Sequence, residues 1–386
     1  APLPLGKGTV AEAGEAAETL RGDLGLSGLF DLAPAAAASA GGIREGEFDF
    51  QPWRQSGAKL LIKSGYVAEG NSLTFEFRLF DVLQEKQLAA KRYSGNLGDL
   101  RRMAHSFADE TLRTTTGEPG SFTSQIAFVS TRSGSKEIHL MDYDGRGVQQ
   151  VTSNRSINLH PQFHPGGREL LYTSYKKGNP DLYRRELYSG AEAAVSTRRG
   201  NNMTASFSPS GDRIALSMSK DGNAEIYLID RSGKELARLT SNPAIDISPS
   251  WSPDGKSIVF VSDRYGKPQL FVMNANGSSP RRIPTPAAYA VGPRWSPKGD
   301  RIVYAAQEGG SFHIHLINPD GSGDVRLTSE GSNEHPSWSP DGRLIAFSSK
   351  RGGKEEIYVM RTDGTGTLRV SEGAGKKTHP AWSPRR

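Results

Sequence analysis

From about Ser124 to the end of the chain, apolar residues come in short runs set off by turns that carry glycine. Ser257–Ser262 and Gln269–Asn274 are typical: rich in Ile, Val, Phe and Leu, and far too short for helices. Such runs predict strands. They sit in a repeating frame, whose first marker is an aromatic residue opening a five-residue signature, complete as Trp251-Ser252-Pro253-Asp254-Gly255. Its copies begin at Phe163, Phe207, Trp251, Trp295, Trp338 and Trp382, so the interval is 44 residues, and 43 once. A second marker, the turn glycine at Gly134, Gly178, Gly222, Gly266, Gly310 and Gly353, keeps the same interval in another phase. Two markers with one period define one repeated unit.

Each unit reads as four short strands. In the third, Trp251 opens the unit, and the runs Ser257–Ser262, Gln269–Asn274 and Arg281–Ile283 follow. A four-stranded repeat of this length is a β-propeller blade. Pro249, Pro293, Pro336 and Pro380 stand two residues ahead of the aromatic, a place read as a strand's beginning, where a missing N–H is tolerated. The tryptophan rings are expected to wedge between neighbouring sheets as core. Ser-Pro-Asp-Gly supplies the reversal. The array opens at Ile126–Ser130, in the phase of a second strand, and ends just after Trp382, in the phase of a first. One blade is therefore expected to be shared, with a C-terminal inner strand near Pro380–Ser383 pairing with Ile126–Ser130 and removing the open edges.

Upstream the periodicity changes. Ala13, Ala16, Ala17, Leu20 and Leu24 recur at helical spacing over Thr9–Leu24, with Thr9 as N-cap and Gly25 as stop. Pro34–Gly42 reads as a loop and Asp49–Gln55 as one or two helical turns. Ala58–Val67, Leu73–Leu83 and Lys86–Tyr93 read as strands, with alternation clearest at Leu73, Phe75, Phe77 and Leu79 and a hairpin at Gln84-Glu85. A second helix is expected over Asn96–Thr115, ending at Gly117–Gly120. Ala1–Leu5 reads as the tail of another strand. The expected layout is an α/β N-terminal domain over residues 1–118, a linker over 119–125, and an all-β six-bladed propeller over 126–386, its ring closed by the C-terminal strand.

Composition adds little to this. The chain has no cysteine, which excludes disulfides and thiolate metal sites and suits an oxidising compartment. No stretch approaches bilayer-spanning length, so the protein is not expected to be integral to a membrane. It begins with Ala1, so removal of upstream residues, a signal peptide among them, is expected. The net charge of +6 is spread over isolated pairs such as Arg101-Arg102 and Lys176-Lys177, with no basic stripe of the kind nucleic acid requires.

Catalytic signatures are missing from the chain: it has no nucleophile elbow, phosphate loop, zinc-helix motif or dinucleotide fingerprint. Asp142-Tyr143-Asp144-Gly145-Arg146-Gly147 resembles the start of a calcium loop, but Ser153 stands where the closing glutamate belongs, and other blades place Arg231-Ser232-Gly233 and Asn274-Ala275-Asn276-Gly277 there. A hairpin turn is the better reading. Among the histidines, His160, His164, His335 and His379 stand near inner-strand entrances. A metal cluster is one reading of them. A polar rim that receives a partner is the favoured one, because the other blades offer Thr204, Asp246-Ile247 and Val291 there and no ligand type persists around the ring. No cofactor or metal is therefore expected.

The repeat Pro-x-Trp-Ser-Pro-Asp-Gly-x-x-Ile-x-Phe-x-Ser, at Pro249–Ser262 and Pro336–Ser349, resembles that of the TolB family. Oligopeptidase and tricorn-like propellers share related repeats, but six units behind one α/β domain is the TolB layout. The resemblance implies a non-enzymatic periplasmic component of the Tol–Pal envelope system, supporting outer-membrane integrity and cell division. It implies docking of the lipoprotein Pal at the channel mouth, through Leu159, His160, Asn201, Thr204, Asp246, Ile247, Val291, Glu334, His335, Thr378 and His379. It implies coupling to TolA through a segment ahead of Ala1–Leu5 that these residues do not include, capture by colicins through the same channel, and a monomer peripheral to membranes. The rival readings are a propeller gating a hydrolase or peptidase and a propeller that binds a small ligand.

Overall fold

The computed structural model describes residues 2–6, 11–33 and 41–385. It divides into two compact units, Ala1–Thr123 and Ser124–Arg386. The expected N-cap Thr9 and the loop residues 34–40 lie outside the described residues.

In the first unit a short strand β1 (Leu3–Pro4) lies parallel to β2 (Leu60–Glu69), which continues antiparallel into β3 (Ser72–Asp81) and β4 (Lys86–Gly95). The alternation read in β3 is its burial pattern: Leu73, Phe75, Phe77 and Leu79 are all buried. The β3–β4 hairpin is held by the Asp81 carboxylate, which accepts from the N–H groups of Leu83 and Gln84, and Glu85 takes a left-handed backbone. Helix α1 (Ala13–Ser27) packs against α2's successor α3 (Leu100–Thr116), α2 itself being the single turn-and-a-half Gln51–Gln55. Phe107 of α3 stacks on Phe77 at 4.9 Å. Helix α1 runs through the expected stop at Gly25. Leu24 and Leu26 keep its apolar face buried, and the chain first turns left-handed at Gly28, whose N–H returns to the Gly25 carbonyl.

The second unit is six four-stranded antiparallel sheets. Their innermost strands are Asn158–Phe163, Asn202–Phe207, Asp246–Trp251, Ala290–Trp295, Asn333–Trp338 and Lys377–Trp382. Each neighbours the next, and the last neighbours the first, so the array returns on itself. The shared sheet is formed as expected: Lys377–Trp382 pairs with β5 (Gln125–Ser130), Trp382 opposite Ile126. Side-chain bonds fasten the seam, with Trp382 Nε1 donating to Ser124 Oγ at 2.6 Å and the Gln125 N–H to Ser383 Oγ at 2.9 Å. The core lies between blades. Val259, Val261 and Leu270 of one sheet meet Ile302, Tyr304 and Ile317 of the next. Trp251 and Trp382 are buried, whereas Trp295 and Trp338 keep an edge exposed and donate their indole N–H groups to the Gly299 and Arg294 carbonyls.

The signature turn is built by its side chains. Ser252 Oγ donates to Asp254 Oδ1 at 2.6 Å and accepts from the Ser257 N–H at 2.9 Å, so hydroxyl and carboxylate together tie both ends of the reversal. Asp142–Gly147 is likewise a hairpin turn, with the Gly145 N–H on the Asp142 carbonyl and the Asp142 N–H on the Arg146 carbonyl.

Candidate functional site

The prolines ahead of the aromatics do not mark where the inner strands begin. Asp246 and Ile247 already pair with Ser262 and Val261 before the register shifts, and pairing resumes at Ser250. Pro249 stands inside that shift, where it needs no ladder partner. The same irregularity recurs in all six inner strands. Its first unpaired residue is left-handed every time: His160, Thr204, Ser248, Gly292, His335 and His379, with φ between 50° and 62°. For a residue with a Cβ that backbone costs about 1–2 kcal/mol, most where the side chain is β-branched as at Thr204. Repeated strain of this kind is a pointer to function.

These residues ring a cavity of about 140 Å³ at the propeller axis. One side of it is aromatic. His335 and His379 stack with centroids 3.7 Å apart, and His160 meets His379 edge-on at 4.6 Å. The other side offers Thr204, Ser248 and Gly292, with Thr204 Oγ1 bonded to Ser217 Oγ at 2.8 Å. Ser348 Oγ donates to the Glu334 carbonyl and bonds His335 Nδ1 at 3.0 Å, which makes Nδ1 the protonated nitrogen and leaves Nε2 as an acceptor. Burial pulls the His160 pKa down to about 4, helped by the charges of Arg294 and Lys136. His335 falls to about 3, by burial first and then by His160, Arg294, Lys136 and Lys350. His379 is held well below the ordinary imidazole value by burial and its two histidine neighbours. All three imidazoles are neutral at pH 7. Glu334 is shifted the opposite way, upward, by burial.

Of the residues expected at the channel mouth, His160, Thr204, Val291, Glu334, His335 and His379 line this cavity. Leu159, Ile247 and Thr378 precede left-handed residues and are half-buried outside it. Asn201 is exposed, its N–H on Ser219 Oγ. Asp246 is fully buried and does not line the cavity: its Oδ2 accepts from Arg264 and Asn242, both at 2.7 Å. His164 lies elsewhere, edge-on to Phe207 with Nδ1 accepting from the Gly166 N–H. Ser248, Gly292 and Arg294 line the cavity and were not expected. The 44-residue step runs from His160 through Thr204 to Ser248 and Gly292, so strict phase would have found those last two. Among the described residues no group of three or more His, Asp or Glu is placed to hold a metal ion.

The family described as TolB beta propeller domain matches residues 112–386, and that described as TolB amino-terminal domain matches residues 4–88. The chain belongs to the TolB family. Among curated relatives, the Tol-Pal system protein TolB of Geobacter metallireducens is 62% identical over 157 residues, 40% of this chain and 37% of that protein. Its Geobacter sulfurreducens counterpart is 60% identical over 166 residues, 43% of this chain and 38% of that one. These matches thus span less than two fifths of the relatives' own length. In fold, the chain is similar to the crystal structure of TolB from Acinetobacter baumannii, with a TM-score of 0.88, 24% identity, and coverage of 100% of this chain and 97% of the other. Membership in the TolB family gives the ring of left-handed residues a context: it is the axial feature of a TolB propeller. Among the described residues no helix is long and apolar enough to cross a membrane.

Proposed function

We propose that this TolB-family chain is a periplasmic, non-enzymatic binding component of the Tol–Pal system, and that the axial cavity is where it docks the lipoprotein Pal, in support of outer-membrane integrity and cell division. The observation that carries the reading is the ring of six left-handed positions. Five of the six hold a residue with a Cβ, so the fold sustains backbone strain at the place where side chains meet an open cavity. A concave site with a stacked aromatic wall and a few convergent polar groups suits the insertion of a partner's side chains. The neutral imidazoles offer contact area and hydrogen bonds, with no bond chemistry.

Calorimetric titration with the soluble domain of Pal from the same organism tests the proposal. Saturable binding is expected, weakened at least about tenfold in the double variant His335→Ala, His379→Ala, since a stacked aromatic pair at the centre of a site is the kind of contact that dominates affinity. Absence of binding by the folded wild-type protein would remove the proposal.

A further inference from the structure

One residue of the cavity departs from its counterparts in the other blades. Two positions after the left-handed residue stand Gln162, Ser206, Ser250, Arg294, Ser337 and Ala381, so one blade alone presents a charge there. Arg294 lines the cavity together with His160, His335, His379 and Glu334. Arg294 is half-buried against the cavity, and burial, with no opposing carboxylate, lowers its pKa to about 10. Its guanidinium donates to the neighbouring Pro293 carbonyl at 3.1 Å, which leaves most of its five N–H groups without a protein acceptor. Glu334 does not neutralise it: the charges acting on that carboxyl are Lys350 and Glu355, and burial favours its protonated form. The field at the histidines is positive as well, since Arg294 and Lys136 both disfavour their protonation.

A guanidinium half-buried at a cavity wall without a counterion is held at a cost that a paired carboxylate would offset. The cavity leaves that place open to a group from outside. We infer that the axial cavity is a carboxylate socket: an Asp or Glu side chain projecting from the docked protein enters it and pairs with Arg294, with the stacked imidazoles of His335 and His379 as its wall. This rests on the docking reading above and names its specificity element. The cavity volume suits one side chain and is too small for a strand or helix. The planar fork of Arg suits a carboxylate held in two bonds, which lysine does not reproduce. The acid is placed on a protein because the cavity lies at the axis of a propeller read as a protein-docking site, whereas a free carboxylate would gain only the one pairing.

The test uses the full chain and the variants Arg294→Gln and Arg294→Lys in two measurements. In the first, each is titrated with the soluble Pal domain. Arg294→Gln is expected to weaken binding about 10- to 100-fold, with Arg294→Lys between it and wild type, and high salt narrowing the gap. Arg294→Gln is also expected to melt no lower than wild type, because it removes an uncompensated charge. In the second, sodium acetate is added while the histidine ring resonances are followed. The His335 and His379 signals shift in wild type and stay unmoved in Arg294→Gln. Pal binding equal in wild type and Arg294→Gln overturns the socket while leaving the docking reading intact, and a marked fall in melting temperature would make Arg294 structural and overturn it too. If wild type does not bind Pal, the docking reading fails and the acetate measurement decides alone: shifts confined to wild type support a carboxylate site, and equal or absent shifts overturn it.

Discussion

At position 335 backbone and side chain make opposing demands. The left-handed backbone favours Gly or Asn, yet the residue is a histidine stacked on another histidine and bonded to Ser348. Its pKa shift makes the cost visible in the pH dependence of stability. In the folded protein His335 titrates near 3, held there by burial and by His160, Arg294, Lys136 and Lys350, with His379 against its face and Glu334 beside it. In the unfolded chain it titrates near the ordinary value of about 6.5. Between those values the unfolded chain binds a proton that the folded protein refuses, so stability falls as pH drops through that window and levels off below it. His335→Asn keeps a side chain tolerant of the left-handed region and removes the titration. It is expected to lie within about 1 kcal/mol of wild type at pH 7 and to be the more stable by about 1–2 kcal/mol at pH 5, the channel's access to water reducing the full linkage value. Urea unfolding at a series of pH values checks this, and parallel curves for the two proteins would exclude the linkage.

Between elements, the blades are joined by close contacts at their outer hairpins as well as by their apolar faces. The turn glycine after the third strand of a blade lies against the carbonyl end of the preceding blade's outer strand: Gly145 on Val370, Gly233 on Val195, Gly277 on Leu239 and Gly364 on Leu327. A pair of glycines separates the two reasons for glycine here. Gly178 and Gly233 have nearly the same φ, 88° and 89°, but a Cβ at 178 would meet open space whereas at 233 it would run into the Val195 carbonyl. Gly178→Ala is therefore expected to cost about 1 kcal/mol, the backbone term alone. Gly233→Ala should cost that and at least about 2 kcal/mol more, because a neighbouring blade has to move. Equal midpoints in urea for the two variants would mean the blades slide apart freely at that joint.

For the whole molecule, the blade count and the shared blade were legible because turn residues at fixed phase report where strands end, whatever lies between. The axial site was less so. Inner strands face a channel rather than a core, so Asp246–Ser248 carry no apolar pattern and the pairing of Asp246 and Ile247 ahead of Pro249 left no trace; Asp246 reads as exposed, because its partner Arg264 is 18 residues away. Arg294 looks like one more scattered charge until register places it at the axis. What did read clearly, the closing strand, carries the largest structural consequence. Without Lys377–Trp382 the buried strand Gln125–Ser130 becomes an edge, with Ile126, Phe128 and Val129 on it. Such an edge is a template for another chain. Deleting residues 377–386 is expected to give concentration-dependent association in sedimentation velocity and an earlier loss of tryptophan fluorescence in urea. A synthetic peptide spanning 376–386 should reverse both by restoring the ladder. Trp382→Ala separates ladder from wedge: it keeps the backbone pairing, so the protein should stay monomeric while losing about 3–5 kcal/mol for the buried indole. A deletion variant that sediments as a monomer and unfolds at the wild-type midpoint would show that the other five blades hold the ring without the seam.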